Sequence, residues 1–282
     1  MAPALAEFTR RIGFELASDT PELPGFPDVA LRVRDALSQE DISIEQVVRI
    51  VGAEPSLSVR LLLLANSVAL NPGAQRITTL RAAIARIGFN LARSATIAFA
   101  MSQMRRAEAW RGLEARFRDV WETSVRHAAM SYALARHRER ADADQAMLAG
   151  MLHAVGRLFV LTRLSRFPVL FGDASISAEV EHVWHARANR ALLTRWALGQ
   201  DVLDATCDFD QAHAEGPGPA TLRDVLLAGR YLVGVRDAAD LADAAFLQAP
   251  PFKRLGLDAA GAAQVLAASA AEVASLRAAL AD

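Results

Sequence analysis

"SIEQVVRIVGAEPSLSVRLLLLANS", residues 43–67, decides the fold. Ser43 with Gln46 three residues on is a capping box, which satisfies backbone N–H groups that a helix start leaves open. Gly52 suits the end of that helix. Pro55 is tolerated in the first turn of a second helix, where no intrahelical N–H is needed. Asn66 and Ser67 close it ahead of an Asn-Pro-Gly loop at 71–73, where Asn can bond its own backbone. Two short helices end to end, with no period-2 alternation, point to an all-α chain.

The text on either side agrees. Leu5, Phe8, Ile12 and Leu16 fall at helical spacing within residues 1–20. "PELPGFPDVA" (21–30) holds three prolines within seven residues, so it is an extended connector. Helical spacing resumes with Val29, Leu31, Val33 and Leu37. "TTLRAAIARIG" (78–88) predicts a helix with Thr78 or Thr79 as cap and Gly88 as stop. Residues 90–104 are small and apolar on most faces, which predicts burial. A long helical stretch at 107–138 holds Trp110, Phe117, Trp121, Val125 and Leu134. Another runs over 141–164, and "SRFPVLFGDASIS" (165–177) is a connector. Residues 177–198 predict a helix capped by Ser177, with Trp184, Leu192, Leu193 and Trp196 toward a core. "LGQDVLDATCDF" (198–209) is helical, "HAEGPGPA" (213–220) a loop, and 220–282 about three Ala/Leu-rich helices. No hairpin signature or fixed-period repeat occurs. The expected organisation is an N-terminal helix at 1–16, a multi-helix domain at 17–212 and a C-terminal helical extension at 213–282.

With 52% hydrophobic and 22% charged residues, the chain has ample material for a core. A net charge of −1 demands neither nucleic acid nor an anionic membrane. Charge is uneven: residues 56–118 carry 10 Arg against Glu108 and Glu114, while 201–282 carry 12 acidic against 6 basic residues. These read as solvated helix faces, or as an anion- or partner-binding half set against an acidic tail. Too few aromatics interleave the arginines for base stacking, which argues against nucleic acid. Cys207 is the single cysteine, so no internal disulfide forms and a reducing, cytoplasmic setting is expected. Glu7 and the lack of a long apolar core argue against a signal peptide. Arg, Asn, Gly or Pro interrupt the apolar runs short of about 18 residues, so no membrane-crossing helix is expected.

Leu23-Pro24 and Pro27, Glu54-Pro55 with Ala65-Asn66-Ser67, and Ile77 through Gly88 stand in a recognisable order. This order resembles the HDOD domain, a relative of the HD metal-dependent phosphohydrolases. The likeness runs to about residue 210 and leaves out the tail. It implies an all-α HD-like bundle and a role in bacterial signal transduction. The implied partner is a signalling protein, such as a response regulator or a component of a cyclic-di-GMP pathway.

Active HD enzymes hold one or two metals with a His on one helix, a His-Asp pair on a later one, and further His and Asp residues. Such ligands suit divalent transition metals that activate water. Carried onto this chain, the first-His position in "VWETSVRHAA" is Thr123, with His127 one turn on. The His-Asp pair is His153-Ala154, in "AGMLHAVGRLFVL" (149–161). A later His persists as His185, and the segment that often ends in two histidines reads Asp208-Phe209. His153 and His185 alone fall short of a three-ligand hydrolytic site, although His127, His182, Asp208 or Asp210 are available as extra ligands. The expectation is a degenerate site with no catalytic residue, no metal and no cofactor, in a protein that binds a partner. Two alternatives stay open: a residual metal phosphohydrolase acting on nucleotides or cyclic dinucleotides, and a sensor of an anionic nucleotide. No P-loop, G-x-S-x-G, GxGxxG or HExxH occurs, and Asp208 beside Cys207 makes that thiol a poor nucleophile.

Overall fold

The computed structural model of the chain describes residues 1–18, 21–24, 28–37, 39, 41–72, 75–104, 107, 110–138, 141–196, 198–207, 218–235, 239–242 and 245–280. The described residues form helices and turns with no strand. In chain order the helices are α1 (Ala2–Ala17), α2 (Asp28–Leu37), α3 (Ile44–Gly52), α4 (Pro55–Ala65) and α5 (Leu80–Met104). Then come α6 (Glu114–Arg138), α7 (Ala143–Leu152), α8 (Val155–Leu164), α9 (Pro168–Phe171) and α10 (Ala174–Arg195). The chain continues with α11 (Gln200–Cys207), α12 (Leu222–Leu232), α13 (Ala239–Ala242), α14 (Pro250–Leu255) and α15 (Ala259–Leu280).

Local chemistry sets many of the boundaries. Ser43 and Gln46 form the capping box, and Thr79 Oγ1 accepts from the Ala82 N–H. Gly88 breaks α5 with φ 75°, and Gly256 ends α14 at φ 64° in the left-handed region that favours glycine. Asn66 does more than cap its own helix. Its Nδ2 donates to Leu62 and Ile77 carbonyls and its Oδ1 accepts from the Ile77 N–H, each at 2.8 Å, which ties down the intervening loop.

Helices α2–α5 pack together through Val33, Val47, Val51, Leu57, Leu61 and Ile84. The other half is built on α6 against α7 and on α8 against α10. Both crossings are close. A Cβ added at Gly150 would lie 2.7 Å from the Ala128 Cα, and one at Gly156 would collide with the His185 carbonyl. The tail docks on this half: α12 and α14 share a second apolar cluster with Met130, Leu134 and Ala135 of α6, and α15 lies on α6, α4 and α5.

Four expectations need correction. Asp173, not Ser177, caps α10, because its carboxylate accepts from the Ser175 and Ile176 N–H groups; Ser177 is buried inside the helix. The 165–177 connector contains the one-turn helix α9, started by Pro168. The helix expected over 107–138 begins at Glu114, and Trp110 sits in a turn with its Nε1 donating to the Pro24 carbonyl. Two segments do reach membrane-crossing length and apolarity, Ala143–Leu164 and Ala259–Ala279. In the most apolar window of the first, 83% of the residues are buried, against 28% in that of the second. Pro27 lies outside the described residues.

Candidate functional site

α6 buries Ser124, His127, Ala128 and Ser131 along one face. Thr123 points to solvent, where its hydroxyl lies 3.5 Å from Arg126. The first-His position therefore does not join the interior, and His127 does. Its Nε2 lies 2.7 Å from the Leu226 carbonyl of α12. Gly229 lets α12 come this close, since a Cβ there would meet Ser131 Oγ at 2.9 Å and His127 at 3.5 Å.

His153 ends α7, and Ala154, buried, starts α8. The two residues that match an HD pair thus form the break between helices. His153 Nδ1 lies 2.7 Å from the Gly150 carbonyl, and its Nε2 lies 3.4 Å from His127 Nδ1. The rings meet edge to face, 4.4 Å between centroids.

A carbonyl only accepts, so His127 Nε2 and His153 Nδ1 both carry protons. The two facing nitrogens are then both lone-pair bearers in the neutral rings. Burial pushes His127 down to about 4, aided by the charge of Arg230 and opposed by the Leu226 bond. Burial also pushes His153 well below the usual range, with His127, Arg230 and Arg157 adding to it and the Gly150 bond opposing. Both imidazoles are neutral at physiological pH.

His185 lies on α10, half-buried, with Nδ1 turned back to the carbonyls of Glu181 and His182 at 3.0 and 2.9 Å. His182 is exposed, its ring centroid 6.1 Å from that of His185. Asp208, Phe209 and Asp210 lie outside the described residues. Among the described residues, no three His, Cys, Asp or Glu side chains are grouped to hold a metal. Among the described residues, the set offers two facing imidazoles and the buried methyl of Ala154.

Sequence reasoning missed the polar groups of α10. Glu181, buried, binds Arg116 at 2.7 Å, lies 3.3 Å from Ser177 Oγ and 3.5 Å from Arg157. Asn189 Oδ1 accepts from the Gly156 N–H at 2.8 Å. The available signal was a polar Asn at helical spacing among Ala188, Leu192 and Leu193, in an otherwise apolar face.

The HDOD domain family profile matches residues 23–211. The chain belongs to the HDOD family. Solved structures with the same HDOD architecture cover nearly all of it. A "Putative metal-dependent phosphohydrolase" from Shewanella amazonensis SB2B superposes with a TM-score of 0.78 at 22% identity, over 99% of this chain and 100% of that one. An HDOD domain protein of unknown function from Geobacter sulfurreducens gives 0.62 at 20% identity, covering 97% and 96% of the two chains. A "Putative signal transduction protein" from Marinobacter aquaeolei VT8 gives 0.60 at 19% identity, covering 98% of this chain and 66% of that one. At these identities the likeness concerns the fold. No curated protein matches the sequence. The tail helices α12–α15 lie beyond the HDOD match, yet α12 supplies the carbonyl that orients His127.

Proposed function

We propose that this HDOD protein is a non-enzymatic output or adaptor element of a bacterial signalling pathway, acting in the cytoplasm by binding a signalling protein. One observation carries the reading. His127 and His153 face each other with their outer nitrogens held by backbone carbonyls, and Ala154 presents a methyl where HD enzymes hold a carboxylate. Membership of HDOD and the signal-transduction name of the Marinobacter relative support the pathway class. A response regulator or a cyclic-di-GMP component is the proposed partner. Exposed Val59 and Leu63, one turn apart on α4, with Val68 beyond, supply apolar contact area for it.

The test has two arms. Purified protein is assayed with Mn²⁺ against cyclic dinucleotides, nucleoside monophosphates and a generic phosphodiester. Turnover that disappears in His153→Ala would establish the residual hydrolase instead. Affinity capture from the native extract is then compared between wild type and Leu63→Asp. A signalling protein retained by the first and lost by the second is expected.

A second reading rests on the cationic charge of Arg230, which acts on both imidazoles, and of Arg157, which acts on His153. That field suits an anionic nucleotide. A ligand binding only the folded state raises the melting temperature, so a thermal-shift panel of nucleotides with no response excludes this sensor.

A further inference from the structure

We infer that the outer face of α4 docks an amphipathic helix of the partner protein whose apolar residues are flanked by Asp and Glu. The inference rests on the adaptor reading, which supplies the partner, and adds the chemistry of the segment that touches this chain.

The apolar anchors come first. α4 carries large apolar residues on two opposite sides. Leu57, Leu61 and Leu64 are 1% exposed or less and fill the core. Val59 and Leu63 point the other way, 55% and 54% exposed, and Val68, just past the helix, is 56% exposed. A surface helix of a protein that works alone needs only the first set. Val59 and Leu63 stand one turn apart, the spacing at which a ridge on one helix enters the groove of another. A helix laid on them meets them with its own apolar residues at i and i+3 or i+4.

Charge selects the flanks of that helix. From Pro55 to Ala107 the sequence holds seven arginines and no acidic residue. The fold brings two of them to the C-terminal rim of the apolar face. Arg86 Nε donates to the Leu70 carbonyl at 2.8 Å, which holds its guanidinium close to Val68. Arg76 adjoins Ile77, whose backbone is tied to Asn66 at the end of α4. Both arginines are exposed, and neither makes an ion pair among the described residues. Two neighbours are already matched, Arg81 by Glu45 and Arg136 by Glu272. The surplus around Val59, Leu63 and Val68 is therefore cationic, and acidic flanks on the docking helix complement it and fix its register. An anionic bilayer would complement the same charge. Membrane anchoring, however, favours aromatic side chains beside the aliphatic ones, and the exposed Phe14 and Tyr231 belong to α1 and α12.

Fluorescence anisotropy of the full chain with three labelled peptides of about 20 residues tests this. The first places Leu and Val at helical spacing among Glu and Ala. The second replaces each Glu by Lys. The third keeps the composition of the first and scrambles its spacing. Saturable binding of the first alone is expected, weakened severalfold when salt is raised from about 50 to about 500 mM. Leu63→Asp should weaken it at least about tenfold, because docking would bury an unpaired charge. Arg86→Gln keeps a donor for the Leu70 carbonyl and should weaken it about threefold. Both variants change exposed side chains and should keep the wild-type melting temperature. Equal binding of the Glu and Lys peptides, or binding of neither, would overturn the inference. So would self-association, or adsorption to phosphatidylglycerol–phosphatidylcholine vesicles, that Leu63→Asp abolishes. Affinity capture separates this inference from the adaptor reading. A signalling protein lost by Leu63→Asp but fully retained by Arg86→Gln, with peptides of either sign binding alike, would strike the acidic helix and leave the adaptor. Sign-selective peptide binding with no signalling protein captured would uphold the acidic helix and strike the adaptor.

Discussion

Asn66 closes on Ile77 in both directions, its amide nitrogen donating to the Ile77 carbonyl and its oxygen accepting from the Ile77 N–H, each at 2.8 Å. A third bond returns to the Leu62 carbonyl. One half-buried side chain thus joins the end of α4 to the entry of α5. Asn66→Ala removes all three bonds and leaves backbone groups of Ile77 without that partner. At about 1 kcal/mol for each net bond, a loss of roughly 2–3 kcal/mol is expected. Asn66→Asp should do no better, because a carboxylate cannot donate to the two carbonyls. Urea unfolding of the three proteins checks this, and equal midpoints would contradict it.

Gly156 and Gly150 mark the two tight helix crossings. Gly156→Ala drives a methyl into the His185 carbonyl and the Asn189 backbone, and Gly150→Ala into the Ala128 backbone. Neither obstacle is a side chain that can swing away. Overpacking of this kind costs about 1–3 kcal/mol or more. Gly199→Ala, where a Cβ meets nothing within 4 Å, is the control and should leave the melting temperature near wild type.

The first of these crossings was half legible. Gly150 and Gly156 flank His153 in the sequence, which suggests close packing, but the partner helices lie far off in the chain. The caps at Ser43 and Thr79 were readable because a cap is local chemistry over three or four residues. The choice between Thr123 and His127 was not. They stand one turn apart, and the choice of inward side chain is fixed by α12, whose Leu226 carbonyl is 99 positions away from His127. The same limit hid the docking of the tail. Its Ala-rich helices carry a clear period but no label for the surface they cover.

Polar ties help hold α15 in place. Glu272 of α15 is buried, with Arg136 at 2.5 Å and His137 at 3.5 Å. Ser275 Oγ accepts from the Val68 N–H, and Arg60 donates to the Ala279 carbonyl. Glu272→Ala removes a charge-assisted bond between a buried carboxylate and the half-exposed Arg136 guanidinium, at a cost of about 1 kcal/mol. Hydrogen exchange should quicken across α15 while α8 and α10 keep their protection. Unchanged exchange in α15 would show that its apolar contacts alone hold it.

Acid stability supplies a signed test of the histidine pair. His127 is lowered from 6.5 to about 4 in the folded chain, and His153 is lowered in the same direction. Between those pH values the unfolded chain binds more protons than the folded one, so stability falls as pH drops from about 6.5 toward about 4. For His127 the full span is worth on the order of 3 kcal/mol. Asp144 acts in the opposite sense. Burial and Asp142 raise it from 3.8 to about 6, so the folded chain holds its proton more tightly over that range and gains stability on acidification. With two imidazoles against one carboxyl, a net loss is expected. His127→Gln should flatten the slope measured by chemical unfolding between pH 6.5 and 4, and Asp144→Asn should steepen it. A His127→Gln slope equal to wild type would mean that the folded imidazole takes up its proton as readily as the unfolded one.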